Sequence, residues 1–255
     1  MKDRLYIASV SQNAPDLAKA YGIGLELDYY CMAANMDEPL FGKTKEQVAR
    51  ELEAAGSPRL IFHAPFNELY PAAIDPQIQR IAYKRYEQAY HLAKDVYGIE
   101  KMVVHSGYVP RIYYKQWHHE KSQEFWRAYM RNKQGSFTIC IENVLEDEPY
   151  MFAKIAEELD QENVRLCLDI GHANCIGNIP LEEWIRVTGP YVSHLHIHSN
   201  NGEHDYHDAL GEGTIQMARA LEQIDRYCGK DATITIESLD GTKSLEWLDK
   251  EGYLK

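Results

Sequence analysis

The sequence predicts a single (β/α)8 TIM barrel that spans residues 1–255. Short runs rich in apolar residues alternate with longer stretches of helical periodicity, which is typical of parallel strands joined by helical crossovers. Eight such units are present, and a chain of 255 residues has the usual length of a closed eight-stranded barrel. We therefore expect one closed barrel rather than an open sheet.

The predicted strands are eight short apolar runs, and the stretches between them have helical spacing. The strands are Leu5–Val10, Gly24–Tyr29, Leu60–His63, Met102–His105, Phe137–Glu142, Leu166–Asp169, Val192–His198 and Thr233–Glu237. The helices are Thr44–Ala55, Gln77–Tyr97, Gln116–Asn132, Met151–Leu159 and Ile215–Tyr227. Thr44 followed by Gln47 has the form of a capping box, so we expect a helix to begin there.

Composition and charge exclude several classes of function. Hydrophobic residues make up 45% of the chain, as in ordinary globular proteins, and the formal net charge is −12. A charge of this sign argues against broad binding to nucleic acid, which needs a basic surface. No signal peptide precedes the first predicted strand, and no apolar run reaches the length of a membrane span, so we expect a cytoplasmic protein with no membrane partner.

The cysteines indicate a reducing compartment. Their number is odd, and no pair has the spacing Cys-x-x-Cys. The five are Cys31, Cys140, Cys167, Cys175 and Cys228. Cys140 and Cys167 lie inside predicted strands, so we expect buried free thiols rather than disulfides.

Six consecutive predicted strands, the third to the eighth, each end in a residue type that ligates metals. With the loop residues that follow, the candidate ligands are His63, His105, Glu142, Asp169, His172, His196, Asp205, His207 and Glu237. Parallel strands of a barrel bring their carboxyl ends to one face, so these side chains should converge there. Imidazole and carboxylate together suit Zn, Mn or Fe, and four close carboxylates would repel one another without cations.

The seventh predicted strand carries three alternating histidines, which share one face. His196 is the best placed of them as a ligand. We expect His194 to lie one layer deeper, hydrogen-bonded in the core. We expect His198 either to contact substrate or to face solvent at the rim.

The chain resembles the superfamily of xylose isomerase-like TIM barrels, which includes endonuclease IV (AP endonuclease family 2) and many sugar isomerases and epimerases. The resemblance runs from about Arg59 to Leu239 and rests on short motifs around the strand ends. These motifs are His-Ala-Pro-Phe (63–66), Val-Val-His-Ser-Gly (103–107), Ile-Glu-Asn (141–143), Cys-Leu-Asp-Ile-Gly-His-Ala (167–173), His-Asp-Tyr-His-Asp-Ala-Leu-Gly-Glu-Gly (204–213) and Ile-Glu-Ser (236–238).

The resemblance implies a particular set of ligands. In proteins similar to endonuclease IV, nine side chains hold three zinc ions, and all nine residue types are matched here. One ion would take His63, His105 and Glu142; a second would take Glu142, Asp169, His196 and Glu237; a third would take His172, Asp205 and His207. The epimerase branch implies one ion on Glu142, Asp169, His196 and Glu237, with the two glutamates moving protons.

Three departures from endonuclease IV disfavour DNA as the substrate. The stretch Asn143–Pro149 is acidic where a Gly-rich segment is usual, and it would repel a phosphate backbone if it faced the mouth. The chain reads Asp-Ile-Gly-His (169–172) where Asp-Thr-Cys-His is usual, and Phe66 stands in place of the usual tyrosine. In the loop Tyr108–Lys115, Arg111 and Lys115 could grip one phosphate but hardly a duplex.

Charge leaves two chemistries open. With carboxylates contributing about −4, three zinc ions would leave a cationic pocket that attracts a phosphate, whereas one ion would suit a neutral sugar. We favour a multi-zinc phosphoester hydrolase acting on a small phosphorylated or polyhydroxy substrate. The alternative is a sugar or sugar-phosphate isomerase or epimerase that uses one Mn²⁺, Mg²⁺ or Co²⁺, with Glu142 and Glu237 as catalytic base and acid. A third interpretation is a metal-binding barrel without catalysis.

Overall fold

The computed structural model is a closed barrel of eight parallel strands, and it describes residues 1–133, 135, 137–159 and 163–255. Each strand pairs with the next along the chain, and β8 pairs with β1 to close the barrel. The strands are β1 (Leu5–Ala8), β2 (Gly24–Leu27), β3 (Leu60–His63), β4 (Lys101–His105), β5 (Thr138–Glu142), β6 (Val164–Asp169), β7 (Val192–Ile197) and β8 (Thr233–Ile236). The predicted fold class is thus confirmed, although β1 and β2 each end two residues earlier than expected.

Helices surround the barrel between successive strands. In the described part of the chain they are α1 (Ala14–Tyr21), α2 (Leu40–Ala54), α3 (Pro76–His91), α4 (Lys115–Met130), α5 (Pro149–Glu157), α6 (Ile170–Cys175), α7 (Leu181–Thr188), α8 (Met217–Tyr227) and α9 (Gly241–Lys250). One π-helical turn, Leu92–Val96, extends α3. The main apolar core lies between the strands and these helices.

The capping box expected at Thr44 is wrong. Helix α2 already begins at Leu40, directly after Pro39, and Thr44 lies one turn inside it. The Thr44 hydroxyl donates to the carbonyl oxygen of Leu40, 3.1 Å away, in the back-bonding that threonine makes inside helices. The sequence rule failed because the same hydroxyl serves either at a cap or within a turn.

Other helix starts follow from side chains that cap them. Asp75 accepts a hydrogen bond from the backbone N–H of Gln77 at the start of α3, and Glu148 accepts from Tyr150 N–H at the start of α5. Each cap is followed by a proline, which fits the first helical turn because that turn needs no donor there. These caps fix where the chain leaves the barrel mouth.

Side chains alternate between the two faces of each strand, which divides the barrel wall from its interior. In β4, Met102 and Val104 pack in the outer core, whereas Val103 belongs to a small apolar cluster inside the barrel. His105 follows two residues after Val103 and so emerges above that cluster. In each neighbouring strand the same alternation places the last inward-facing side chain at the mouth of the barrel.

No helix in the described ranges is both long enough and apolar enough to cross a membrane. All five cysteines are free thiols, as expected, and Cys140 and Cys167 lie in the interior cluster with Tyr6, Ile61 and Val103.

Candidate metal centre

All nine sequence-predicted ligands lie at the carboxyl end of the barrel, and the structure brings their ligand atoms into overlapping groups. We call Glu142, Asp169, His196 and Glu237 the inner cluster, and His172, His198, Asp205 and His207 the outer cluster. Within each cluster the ligand atoms all lie within 4.8 Å of one another. A third group, His63, His105 and Glu142, meets the same criterion and shares Glu142 with the inner cluster.

Glu142 stands between two sets of histidines. Its Oε2 lies 3.3 Å from Nε2 of both His63 and His105. Its Oε1 lies 3.3 Å from Nδ1 of His196 and 3.4 Å from Nδ1 of His172. Glu142 is 1% exposed, and its two oxygens therefore face two separate groups of potential ligands in a buried site.

The ring of His196 shows that the site fits a cation. Its Nε2 lies 3.1 Å from Oε1 of Glu26 and donates to it, so Nδ1 is the nitrogen left to meet a ligand. That Nδ1 is buried and has no hydrogen-bond partner among the described residues. It lies 3.3 Å from oxygens of both Glu142 and Glu237. A lone pair surrounded by carboxylates is stable only if a cation or a proton lies between them.

Three other histidines are also anchored through one ring nitrogen, in their case by Nδ1 to a backbone carbonyl oxygen. Nδ1 lies 3.0 Å from Ala64 O in His63, 2.9 Å from Asn143 O in His172 and 2.9 Å from Glu237 O in His207. Each Nε2 then faces a carboxylate. This arrangement is typical of histidines that ligate metals, because the anchored nitrogen sets both tautomer and ring orientation.

The Asp-x-x-His spacing has a local cause. Asp169 caps the short helix α6, and its Oδ1 accepts from the backbone N–H of His172 at 2.7 Å. This hydrogen bond holds the two residues together, and Oδ2 of Asp169 lies between the clusters, 3.2 Å from Nε2 of His198 and 3.9 Å from Nδ1 of His196. The cap therefore places one ligand in each cluster.

The outer cluster is centred on Asp205, whose Oδ2 lies 3.2 Å from Nε2 of His172 and 3.1 Å from Nε2 of His207. Burial opposes ionisation of Asp205, but hydrogen bonds from both imidazoles outweigh it and hold its pKa below the ordinary range. Burial alone would lower the pKa of His207, yet Asp205 and the charge of Glu237 raise it to about 9. Protons on these rings occupy the electrostatic role that a cation would fill.

The two predicted catalytic glutamates have opposite pKa shifts. Burial raises the pKa of Glu142, but the charge of His196 and the hydrogen bonds from His172 and His196 outweigh it and hold that pKa well below its ordinary value. Burial also raises the pKa of Glu237, and His196 only partly offsets it, so the net shift is upward. Two carboxyls whose environments separate their pKa values in this way suit a base and an acid.

Glu26 was missed by the sequence analysis. This β2 residue is fully buried beneath the inner cluster, where its carboxylate accepts from His196, from the hydroxyl of Thr235 and from Nε2 of His194 at 3.0 Å. His194 is thus hydrogen-bonded one layer deeper than His196, as predicted. An acid in the middle of a buried apolar strand was the signal that could have identified Glu26.

The contacts continue below His194 toward the floor of the barrel. Nδ1 of His194 lies 2.7 Å from Oγ1 of Thr233, which in turn lies 2.9 Å from Nζ of Lys101. Lys101 can only donate, so the Thr233 hydroxyl can accept from it and donate to His194. His194 then donates through Nε2 to Glu26. In each of these three hydrogen bonds the acceptor is then the partner nearer to Glu26.

His198 departs from both roles expected for it, since it is fully buried and neither faces solvent nor lies open to substrate. Its ring stacks on that of His207, with centroids 4.0 Å apart, and it belongs to the outer cluster. Asp28, at the end of β2, was also missed. Burial, with the charge of Glu26, raises the pKa of Asp28 to about 7, and its Oδ2 accepts from the Ser9 hydroxyl.

The acidic loop after Glu142 does not present free charge to the mouth. Glu146 is buried and accepts hydrogen bonds from the hydroxyl of Ser106 and the backbone N–H of Val144. Asp147 and Glu148 both pair with Lys115. The repulsion of phosphate expected from these acids is therefore largely cancelled, and Lys115 is engaged as well.

Phe66 packs against the candidate ligands rather than projecting from the mouth. Its ring stacks on His105, with centroids 4.2 Å apart and planes 7° apart, and meets His63 edge-on. Burial lowers the pKa of His105 to about 3, so this ring is neutral and able to ligate a metal. Phe66 thus forms an apolar wall beside one group of ligands.

Comparison with known proteins identifies the family. The family described as "Xylose isomerase-like TIM barrel" matches residues 15–251. The chain belongs to this family. It is also 30% identical over 207 residues to the uncharacterized protein MJ1311 of Methanocaldococcus jannaschii, a match that covers 74% of this chain and 68% of that protein.

Solved structures share the fold of this xylose isomerase-like barrel at low sequence identity. The TTHB071 protein from Thermus thermophilus, soaked with ZnCl2, is 23% identical with a TM-score of 0.77, covering 100% of this chain and 99% of that one. A D-tagatose 3-epimerase-like protein is 22% identical with a TM-score of 0.76, covering 98% and 96%. Endonuclease IV from Thermus thermophilus is 17% identical with a TM-score of 0.63, covering 97% and 99%.

Proposed function

We propose that this protein is a metal-dependent hydrolase that cleaves a phosphoester of a small or sugar-containing substrate at a multinuclear, zinc-binding centre. The observation that carries the proposal is the position of Glu142, whose two oxygens face two distinct groups of histidines. Such a carboxylate suits a bridge between two ions. A single ion on the inner cluster would not need His63 and His105 beside the second oxygen of Glu142.

The residues divide the work of holding ions as follows. His63, His105 and Glu142 would hold one ion and the inner cluster a second, and a third would take His172, Asp205 and His207. Bound divalent cations would supply positive charge and Lewis acidity for attack of water on phosphorus. Phe66 shields one side of the site from solvent, and Glu237, with its raised pKa, can hold a proton for a leaving oxygen.

Charge supports more than one ion. Glu26 adds a fully buried carboxylate to the four ligand carboxylates, so a single divalent cation would leave a strongly anionic mouth. Such a mouth would repel phosphate. Two or three ions bring the site close to neutral or slightly cationic, which suits an anionic substrate.

A second candidate is a sugar or sugar-phosphate isomerase or epimerase that uses one Mn²⁺, Mg²⁺ or Co²⁺ on the inner cluster. The opposite pKa shifts of Glu142 and Glu237 favour it, because proton transfer beside a carbonyl needs one ionised and one protonated carboxyl. D-tagatose 3-epimerase-like and endonuclease IV proteins share the fold, so the fold does not choose between the two chemistries.

The test combines metal content with substrate class. Protein purified without added metal is analysed for its ions, and then incubated with a panel of sugar phosphates, free ketoses and a labelled abasic DNA duplex. We expect more than one zinc ion per chain and release of inorganic phosphate from a small phosphoester. One ion with ketose interconversion would favour the epimerase instead.

The duplex should not be cleaved efficiently. The chain carries a net charge of −12, and Lys115, one of the two cations of its loop, is already paired with Asp147 and Glu148. A protein that grips a duplex needs several free cationic contacts to phosphates. Strand scission at about 10 per second, a typical enzymatic rate, would restore a DNA-repair function.

A further inference from the structure

His198 is positioned as a ligand rather than as a substrate contact. Its Nδ1 lies 3.4 Å from the carbonyl oxygen of Ser199, which can accept its proton. Its Nε2 lies 3.2 Å from Oδ1 of Asp169 and 3.6 Å from Oδ1 of Asp205. Nε2 also lies 3.2 Å from Oδ2 of Asp169. With the ring proton on Nδ1, the Nε2 lone pair faces two carboxylates in a fully buried position, which is stable only with a cation between them.

Gly171 makes room for this ring. A Cβ added at Gly171 would lie 2.0 Å from Cε1 and 2.3 Å from Nε2 of His198, far inside van der Waals contact. Any larger residue at 171 would push the imidazole out of its place. The glycine of the Asp-Ile-Gly-His motif and the histidine two residues after His196 are thus physically coupled.

The ring is also aligned with the other members of the outer cluster. It stacks on His207 with centroids 4.0 Å apart and planes 11° apart, and it meets His172 edge-on. The four ligand atoms of the cluster lie within 4.8 Å of one another. Three imidazoles and one carboxylate complete a four-ligand set, the number that zinc takes in closed sites.

We propose that His198 is the fourth protein ligand of the outer ion, and that this ion is held in a closed site with no position for substrate. The inference rests on the proposed metal centre and refines it. Structural zinc sites have four protein ligands, whereas catalytic ones keep a position open for water or substrate. The outer ion then fastens the loop of Asp205 and His207 to the barrel, and the ions that share Glu142 are left for chemistry.

Zinc titration of chelator-treated protein, in competition with a chromogenic chelator, tests this assignment. His198→Gln keeps an amide that can donate to Asp169 but removes the imidazole ligand. We expect the zinc affinity of one site to fall by about 100-fold or more. Loss of a residue that only hydrogen-bonds a ligand usually costs about 10- to 100-fold. Gly171→Ala should weaken the same site by displacing the ring. His119→Gln, a buried histidine on α4, is the matched control and should change no site.

Three outcomes would count against the assignment in different ways. Unchanged zinc affinities in His198→Gln would mean that His198 only hydrogen-bonds Asp169. A wild type that binds two ions, both retained in the variant, would overturn the closed outer site and leave the proposed hydrolase standing. A wild type that binds no zinc tightly would overturn the metal centre itself.

Discussion

The inner and outer clusters differ in what holds their side chains. Every inner ligand lies at the end of a strand or directly after one, and none has more than 10% of its side chain exposed. In the outer cluster, Asp205 and His207 come from the long loop after β7, and their side chains are 34% and 28% exposed. His172 and His198 anchor that loop to the barrel.

The difference shows that strand ends hold ligands in fixed positions, whereas a loop leaves its ligands more freedom to move. Strand ends are fixed by the hydrogen bonds of a closed sheet, so the inner ligands are preorganised before any ion binds. The outer ligands are held together by their contacts with one another, such as those of Asp205 with His172 and His207. Hydrogen bonds to the barrel, such as that between His207 Nδ1 and Glu237 O, hold them in place. Loss of an outer ligand should therefore disturb a loop, whereas loss of an inner ligand should disturb the centre.

The largest expected effect comes from Glu142→Gln, which removes the carboxylate shared by two groups of ligands. We expect metal content to fall by more than one ion per chain, because an amide is a much weaker bridge between cations. Elemental analysis of the purified variant measures this. Glu183→Gln, at a half-buried glutamate of α7 that pairs with Arg186, is the control, and unchanged stoichiometry in Glu142→Gln would exclude the bridge.

A smaller loss should follow from His207→Ala in the outer cluster. The variant should lose about one ion while the barrel remains intact, since loops tolerate change better than core elements. In chelator-treated protein, its thermal midpoint should stay within about 4 °C of the wild type, the shift that about 1 kcal/mol produces. Full occupancy of the outer site in an anomalous-scattering map would contradict the loss.

Glu26→Gln tests whether the inner cluster depends on the network beneath it. The neutral amide no longer holds the proton on Nε2 of His196, so zinc affinity of the inner cluster should fall roughly 10- to 100-fold. Chelator competition measures the affinity. Glu146→Gln is a matched control, because Glu146 is a buried glutamate with partners outside both clusters. Equal affinities in the two variants would show that the network does not position His196.

The last expected effect is on stability rather than on metal binding, and it concerns a histidine outside both clusters. Burial lowers the pKa of His118 on α4 to about 4, so its folded form excludes a proton that the unfolded chain binds below about pH 6.5. The neutral ring therefore costs no stability above pH 6.5. As pH falls from 6.5 toward 4, the free energy of unfolding decreases by up to about 1.4 kcal/mol per pH unit. Denaturant titrations of wild type and His118→Gln should diverge in that window; parallel curves would contradict the shift.

Most of the fold was predictable from sequence because the barrel has a strong periodic signal. All eight strands were predicted, for strands buried on both sides appear as continuous apolar runs. The start of α2 was not, since Thr44 follows a capping pattern while its hydroxyl bonds back to Leu40. A local motif cannot show whether the chain before it is already helical.

The sequence by itself determined which residues end the strands, and hence that nine side chains of metal-ligand type meet at one face. Only the tertiary structure decided which atoms face one another. Glu26 joins the site because closure of the barrel leaves only β8 and β1 between β7 and β2, and His198 joins it because Gly171 leaves space for a ring. Both depend on contacts between residues far apart in the chain, where spacing along the sequence carries no information about distance or about which nitrogen of an imidazole is left free.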